Sequence, residues 1–404
     1  MTTTQQWIDQ GLTTVAGTYG RYPLVAVQGE GCYLIDNDGK RYLDFLAGVA
    51  VNNLGHCHPA VVAAIREQAG TLIHCSNFYH IPAQIELSRL LCEHSCGDRV
   101  FFCNSGAEAN EAAIKLARKW SGEAFSPQRH EIISTKASFH GRTLATVSAT
   151  GQEKIQAGFA PLLPGFKHVA YGDIDALQQA ISPATCAIIL EPIQGEGGIQ
   201  IPPPNYFKAV RKLCDEHQLL LILDEIQTGL GRTGSLFAYQ QEGIEPDVMT
   251  LAKALGGGVP IGAMVARTPY SEVLGSGSHG STFGGNPLAT AAAVAAFNEI
   301  NKPELLQHCL DMGTYFISQL EQLQQRFSLI RQVRGRGLMI GVELTCEGAP
   351  IVNKALEQGL LINCTAGNVL RFVPPLIVSR AEIRQTIDIL TVIFSEHTAG
   401  ATTA

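Results

Sequence analysis

A lysine framed by small residues, Ala252-Lys253-Ala254-Leu255-Gly256-Gly257-Gly258, follows the short apolar run Val248–Leu251. Surface lysines usually sit among polar neighbours. Partial burial of such a residue lowers its pKa and frees the amine to attack a carbonyl. A second apolar run, Leu219–Leu223, ends in Asp224-Glu225-Ile226-Gln227. Acids at the carboxyl end of a parallel strand lie where open α/β sheets bind ligands, and a buried carboxylate there needs a cationic partner. Taken alone, Lys253 would be an ordinary lysine in a glycine-rich turn. The pairing with Asp224 on a neighbouring strand is what argues for chemistry.

The protonated pyridine nitrogen of pyridoxal 5'-phosphate is a cation of the required kind, and an aspartate that keeps it protonated preserves the ring's ability to take up electrons. Its phosphate needs a cradle, and Asn104-Ser105-Gly106-Ala107-Glu108 offers one. Ser105 is expected as a helix N-cap with Glu108 completing a capping box, so that the N–H groups of Gly106 and Ala107 face an anion. By itself this is an ordinary helix start. A competing motif, Gly229-Leu230-Gly231-Arg232-Thr233-Gly234, matches the dinucleotide fingerprint. That fingerprint should join strand to helix tightly and be followed by an acid about 20 residues on. Here Asp224–Thr228 separate the strand from the glycines and Ser235–Gly243 follows without strong helical framing, so a glycine-rich active-site loop is expected instead. Gly55-His56-Cys57-His58-Pro59 lacks the paired ligands of a zinc site, so no metal is expected; a turn before a helix opened by Pro59 is the simpler reading.

The elements that must position these residues are those of an α/β chain. With 404 residues, 46% hydrophobic and 16% charged, the sequence has apolar material for about two or three domains. A net charge of -7 with scattered Lys and Arg leaves no electrostatic footprint for nucleic acid. No run is long and apolar enough to span a membrane, and the first residues lack a basic, then apolar, leader. The 11 cysteines, an odd number often set in apolar runs, suit reduced thiols; a cytoplasmic protein is expected. Short buried strands are predicted at Val100–Cys103, Glu131–Ser134, Cys186–Leu190, Leu219–Leu223, Val248–Leu251 and Ile261–Val265. Crossover helices are predicted at Ala107–Trp120 and Tyr206–Gln218. An Asn37-Asp38-Gly39 turn predicts a hairpin near the start. Beyond about residue 290 a long helical run, then Gly337–Leu344, Leu370–Pro375 and a final helix read as a smaller α+β unit, with Thr398–Ala404 frayed. The expected division is 1–54, a segment contributing to the small domain; 55–290, the large cofactor-binding domain; and 291–404, the C-terminal small domain.

Together the signature Leu223–Gly234, Pro246-Asp247-Val248 and Ala252–Gly258 resembles that of the class III aminotransferases, from about Tyr19 to Pro374. The resemblance implies the fold-type-I architecture of pyridoxal-phosphate transferases: a large domain with a mostly parallel sheet flanked by helices, plus a smaller α+β domain. It also implies Lys253 as the Schiff-base residue and proton shuttle, Asp224 on the pyridine nitrogen, Gln227 near the ring hydroxyl, and Phe139 and Ile226 on the two ring faces. Within the family, the segments Gly55–Pro59, Glu191–Gly198, His279–Pro287 and Arg336-Gly337-Leu338 are most similar to acetylornithine aminotransferases. That likeness implies a homodimer in which Ser281 and Thr282 serve the partner's site, with Thr282 reaching the phosphate.

The implied reaction is a ping-pong exchange: N2-acetylornithine and 2-oxoglutarate give N-acetylglutamate 5-semialdehyde and glutamate, in arginine metabolism. Arg142 would grip the distal carboxylate in both halves, assisted by Tyr19, while Arg371 would bind the α-carboxylate of 2-oxoglutarate and be neutralised by Glu196 when an amine donor is present. Solvated surface charge is the plain alternative for Glu196 and Arg371. Val49, where ornithine aminotransferases carry a tyrosine, is expected to leave room for an acyl group. Succinylornithine, ornithine and 4-aminobutyrate are alternative donors; an aminomutase on the same fold or a nicotinamide oxidoreductase are the alternative reactions.

Overall fold

The computed structural model describes residues 2–401. Its centre is a seven-stranded sheet in the order Arg99–Cys103, Gly262–Ala266, Val248–Leu251, Leu220–Asp224, Thr185–Leu190, Glu131–Thr135, Phe166–Val169. Gly262–Ala266 runs antiparallel to both of its neighbours, and the remaining pairs are parallel. The two central strands Thr185–Leu190 and Leu220–Asp224 are buried at every position, because helices cover both faces and leave no polar side to alternate. The edge strand Phe166–Val169 was not expected: its residues are all half-buried, and Lys167 and His168 hide it from an apolar-run search.

The helix after the first strand of the sheet, Gly106–Ala124, packs Ala109, Ala112, Ala113, Leu116 and Ala117 inward. The four alanines let it lie close to the sheet. Tyr206–His217 buries Phe207, Val210 and Leu213 at helical spacing.

The chain ends build a second region. Ala26–Glu30, Tyr33–Asp36 and Arg41–Asp44 form an antiparallel meander joined by Leu360–Leu361 from far along the chain. Asp36 Oδ1 accepts from the N–H of Asp38 and Lys40 and closes the Asn-Asp-Gly turn. An antiparallel sheet of Ile330–Arg336, Met339–Leu344, Val369–Phe372 and Asn363–Thr365 follows. The single helical run expected after residue 290 is two helices, Pro287–Ile300 and Pro303–Arg326. Pro303 cannot donate to the first helix and starts the second. The strand Ile330–Arg336 was also missed, since its Arg and Gln residues mask its alternation. The last helix is Arg380–Ala401. The fraying expected for Thr398–Ala404 falls partly outside the described residues.

Two large apolar clusters follow this division. One lies around the central sheet, with Leu87, Phe207, Phe237 and Phe297; the other joins both chain ends through Phe45, Phe316, Phe372 and Phe394. No helix among the described residues is long and apolar enough to cross a membrane.

Candidate active site

The segments that leave the carboxyl ends of five strands converge on one cavity of about 420 Å³. After Arg99–Cys103 come Ser105, Gly106 and Ala107; beyond Glu131–Thr135 come Phe139 and Arg142. Strand Thr185–Leu190 delivers Glu191 and Glu196, Leu220–Asp224 delivers Asp224, Ile226 and Gln227, and Val248–Leu251 delivers Lys253. This is the crevice at strand ends where α/β sheets bind ligands.

Lys253 opens a tight turn, Lys253–Gly256, and its φ of +46° places a non-glycine residue in the left-handed region. Such conformations cost free energy and cluster at functional sites. Its Nζ makes no hydrogen bond or ion pair among the described residues. Burial and, secondarily, the charge of Arg371 push the amine down to about 8, against the pull of Glu196, Asp224 and Glu191. An amine in that range is partly neutral near physiological pH and is a competent nucleophile.

Asp224 is 4% exposed and held from three sides. Oδ2 is 2.8 Å from both Asn110 Nδ2 and His140 Nδ1, and Oδ1 accepts from Ile226 N at 3.1 Å. Burial disfavours charge on the His140 imidazole, but the hydrogen bond and charge of Asp224 outweigh it and raise its pKa. Thr250 Oγ1 in turn donates to Asn110 Oδ1. Glu225, next in sequence, turns away from the cavity and bonds Thr228 Oγ1 and Tyr239 N; burial pushes it up to about 7.

Ser105 caps the helix by accepting from Glu108 N at 3.2 Å. Glu108 does not complete the expected box on Ser105. It reaches one residue further, to the N–H and side-chain amide of Asn104. The N–H groups of Gly106 and Ala107, at the start of a 19-residue helix, are among the first-turn donors with no intrahelical acceptor.

Glu196 Oε1 lies 2.5 Å from Arg371 Nη1. Burial alone would raise the Glu196 carboxyl, but the Arg371 guanidinium and then Lys253 hold it below the usual carboxylate range. Arg371, 1% exposed, is not part of the cavity wall; from strand Val369–Phe372 of the small sheet it touches the wall residues Glu196 and Gln227. Asn363 Oδ1 lies at 3.1 Å and Gln227 Oε1 at 3.5 Å. Arg142 is exposed, lies 5.6 Å from the Phe139 ring centre and forms no ion pair among the described residues.

Other expected residues are placed elsewhere. Tyr19 is 74% exposed and does not line the cavity. Ser281 Oγ accepts from Asn104 Nδ2 in an adjoining hollow, and Thr282 is exposed. Val51, not Val49, lines the cavity. Four successive positive φ angles at Ala47–Ala50 turn the chain back on itself, so the side-chain directions there cannot be read from extended spacing. The glycine-rich segment Gly229–Gly234 also contributes nothing to the cavity wall. It packs against Leu310 and Leu376 instead, so it is neither an active-site loop nor a dinucleotide turn. His140, Asn110 and Glu191 were overlooked. A lone asparagine on an otherwise alanine-lined buried face, Ala109–Ala113, was the signal available for Asn110.

The class III aminotransferase family model matches residues 14–394. The chain is a class III aminotransferase. It is 57% identical to an acetylornithine aminotransferase of Caldanaerobacter subterraneus subsp. tengcongensis over 94% of this chain and 96% of that protein. Among solved structures it superposes on the ornithine aminotransferase of Toxoplasma gondii with a TM-score of 0.95 at 37% identity, covering 99% and 97% of the two chains. An acetylornithine aminotransferase from Elizabethkingia anophelis gives 0.88 at 34% identity, covering 97% and 99%.

Enzymes of this class use pyridoxal 5'-phosphate, and the residues present fit it. The cavity offers an amine with a lowered pKa, a buried carboxylate for a ring cation, a flat ring in Phe139, an apolar side chain in Ile226, and free N–H groups at a helix start.

Proposed function

We propose that this aminotransferase takes the terminal amine of N2-acetylornithine and passes it to 2-oxoglutarate, giving N-acetylglutamate 5-semialdehyde and glutamate. The observation that carries this reading is the 2.5 Å pair between Glu196 and a fully buried Arg371. A guanidinium in that position binds an α-carboxylate, and needs a counterion whenever an ω-amine donor, with no carboxylate near its reacting carbon, is bound. The names of the similar proteins support the acylated donor.

When bound, pyridoxal phosphate supplies an aldehyde that exchanges amines and a protonated ring that takes up an electron pair. Lys253 would tether it between turnovers and, as a neutral amine, move the proton at the reacting carbon. Asp224, held by His140 and Asn110, would keep the ring nitrogen protonated. Phe139 and Ile226 would hold the ring's two faces, Gln227 its hydroxyl, and Ser105, Gly106 and Ala107 its phosphate. Arg142, with no carboxylate of its own, would grip the distal carboxylate in both halves, with Tyr19 closing over it.

A homodimer belongs to the same reading. Phe78, 91% exposed, and the exposed Ile73, Tyr79 and Ile85 belong to a stretch tied to the segment carrying Ser281, Thr282 and the exposed Phe283: Asn77 Nδ2 bonds the carbonyls of Ser281 and Gly284, and Gln84 Nε2 that of Gly285. Apolar surface of that kind marks an interaction site, from which Thr282 would reach the partner's phosphate. The division into 1–54 with 291–404 and 55–290 is supported by the strand pairing of Leu43 with Leu360. A cytoplasmic setting suits the free cysteines.

Rates with acetylornithine, succinylornithine, ornithine and 4-aminobutyrate, each with 2-oxoglutarate, test the donor. Acetylornithine should win. Preference for ornithine, the substrate named for the Toxoplasma neighbour, would overturn the choice.

A further inference from the structure

The segment Gly229–Gly234 takes no part in the cavity, yet it lies where the two halves of the molecule meet. A Cβ on Gly231 would stand 2.8 Å from Leu376, one on Gly234 2.1 Å from Leu310, and one on Gly337 2.5 Å from the backbone of Thr233. All three glycines have φ between +55° and +91°. At Gly231 and Gly234 a leucine side chain presses on the glycine, at Gly337 backbone meets backbone, and no Cβ fits at any of the three.

Arg232 sits in the middle of this joint with 0% exposure and no acidic partner among the described residues. Nη1 donates to the carbonyls of Leu338 and Pro374 at 3.0 and 2.6 Å, and Nη2 donates to Asn53 Oδ1. The Arg232 carbonyl accepts from Leu338 N at 3.1 Å. Asn53, 1% exposed, completes a ring: its Nδ2 donates to Leu230 O and its carbonyl accepts from Leu376 N, each at 2.7 Å. Burial pushes the guanidinium down to about 10, so it stays charged at neutral pH. A buried cation among neutral acceptors is costly compared with an apolar side chain of the same volume. A planar fork of five donors that can engage three chain segments at once is the property that an apolar group could not replace.

The acceptors share a destination. Pro374 lies three residues beyond Arg371, and Leu338 leads into Met339–Leu344, whose Gly341 is opposite Arg371 in the sheet. At its other end, Arg232 belongs to the segment that continues from Asp224 and Gln227. We propose that Arg232, with Asn53, is a positioning residue that sets Arg371 at its working distance from Gln227 and Glu196. This inference rests on the reading of Arg371 as the α-carboxylate site. The 2-oxoglutarate half-reaction needs Arg371 aligned for bidentate contact, whereas the donor half-reaction needs it only neutralised by Glu196. Misplacing Arg371 therefore penalises one half and spares the other.

Single turnovers of the cofactor-loaded enzyme, followed by cofactor absorbance, read the two halves separately. Arg232→Lys and Asn53→Ala should each lower the second-order constant for 2-oxoglutarate by about tenfold or more while leaving that for acetylornithine within about twofold. Equal losses in both halves, or no loss, overturn the inference, and so does failure of both variants to fold, which would make the pair a folding element only. Arg371→Lys is the reference. If it leaves the 2-oxoglutarate half untouched, the reading of Arg371 is at fault; if it slows that half and the two joint variants do not, the fault lies with Arg232.

Discussion

Arg371 and Arg142 carry the same guanidinium into one site from opposite environments. Arg371 is buried, arrives on a strand of the small sheet and is held by Glu196 and Asn363. Arg142 is exposed on the segment after Glu131–Thr135, with an aromatic ring beside it and no carboxylate partner among the described residues. Water screens the exposed charge and leaves it free to bind and release a substrate carboxylate. The buried charge is not left bare: it comes with its own counterion, Glu196, which in the proposed reaction would yield to a substrate carboxylate. In that proposed reaction, burial would make Arg371 a two-position device and leave Arg142 a plain anchor. It also lets Arg371 act on Lys253, whose pKa it lowers, an influence that a well-screened Arg142 should lack.

Lys253 is where this contrast has its largest consequence. Lys253→Ala should lower turnover by at least about a thousandfold, measured as glutamate formation. Retention of a tenth of the activity would remove the premise that the buried groups converge on this amine. Arg371→Leu should come next, slowing the 2-oxoglutarate half-reaction by about a hundredfold and the donor half far less. Its companion, Glu196→Ala, should shift the ratio of the two half-reaction rates; an unchanged ratio means the pair is not a switch. The pH dependence is a finer probe. The Lys253 amine is neutral above its pKa of about 8, so capture of pyridoxal phosphate by apoenzyme should accelerate as pH rises through about 8 and then level off. Removing the Arg371 charge relieves the repulsion of the ammonium form, so in Arg371→Leu that midpoint should move upward. A midpoint that stays put would uncouple the two residues. The smallest effect is expected at the exposed arginine: Arg142→Lys should raise the KM for both substrates by about fivefold, and added salt should raise KM further in wild type and variant alike as the exposed charge is screened. A salt-independent loss as large as that at Arg371 would erase the contrast.

The amino-acid sequence by itself determined the parts of this enzyme whose causes are local. Apolar runs ending in Asp224 and leading to Lys253, the helix start at Ser105 and the Asn-Asp-Gly hairpin each depend on neighbours within a few residues, and each was legible. Tertiary structure decided what depends on distance along the chain. Glu196 meets Arg371 across 175 residues, and Asn110 and His140 converge on Asp224 from two other strand ends. Val51 enters the cavity in place of Val49 because a left-handed turn redirects the chain. Gly231 and Gly234, which resembled part of a nucleotide-binding turn, are explained by the close approach of the Leu376 and Leu310 side chains. A glycine's local pattern states only that a side chain is excluded, and what excludes it is known only when the far segment is in place.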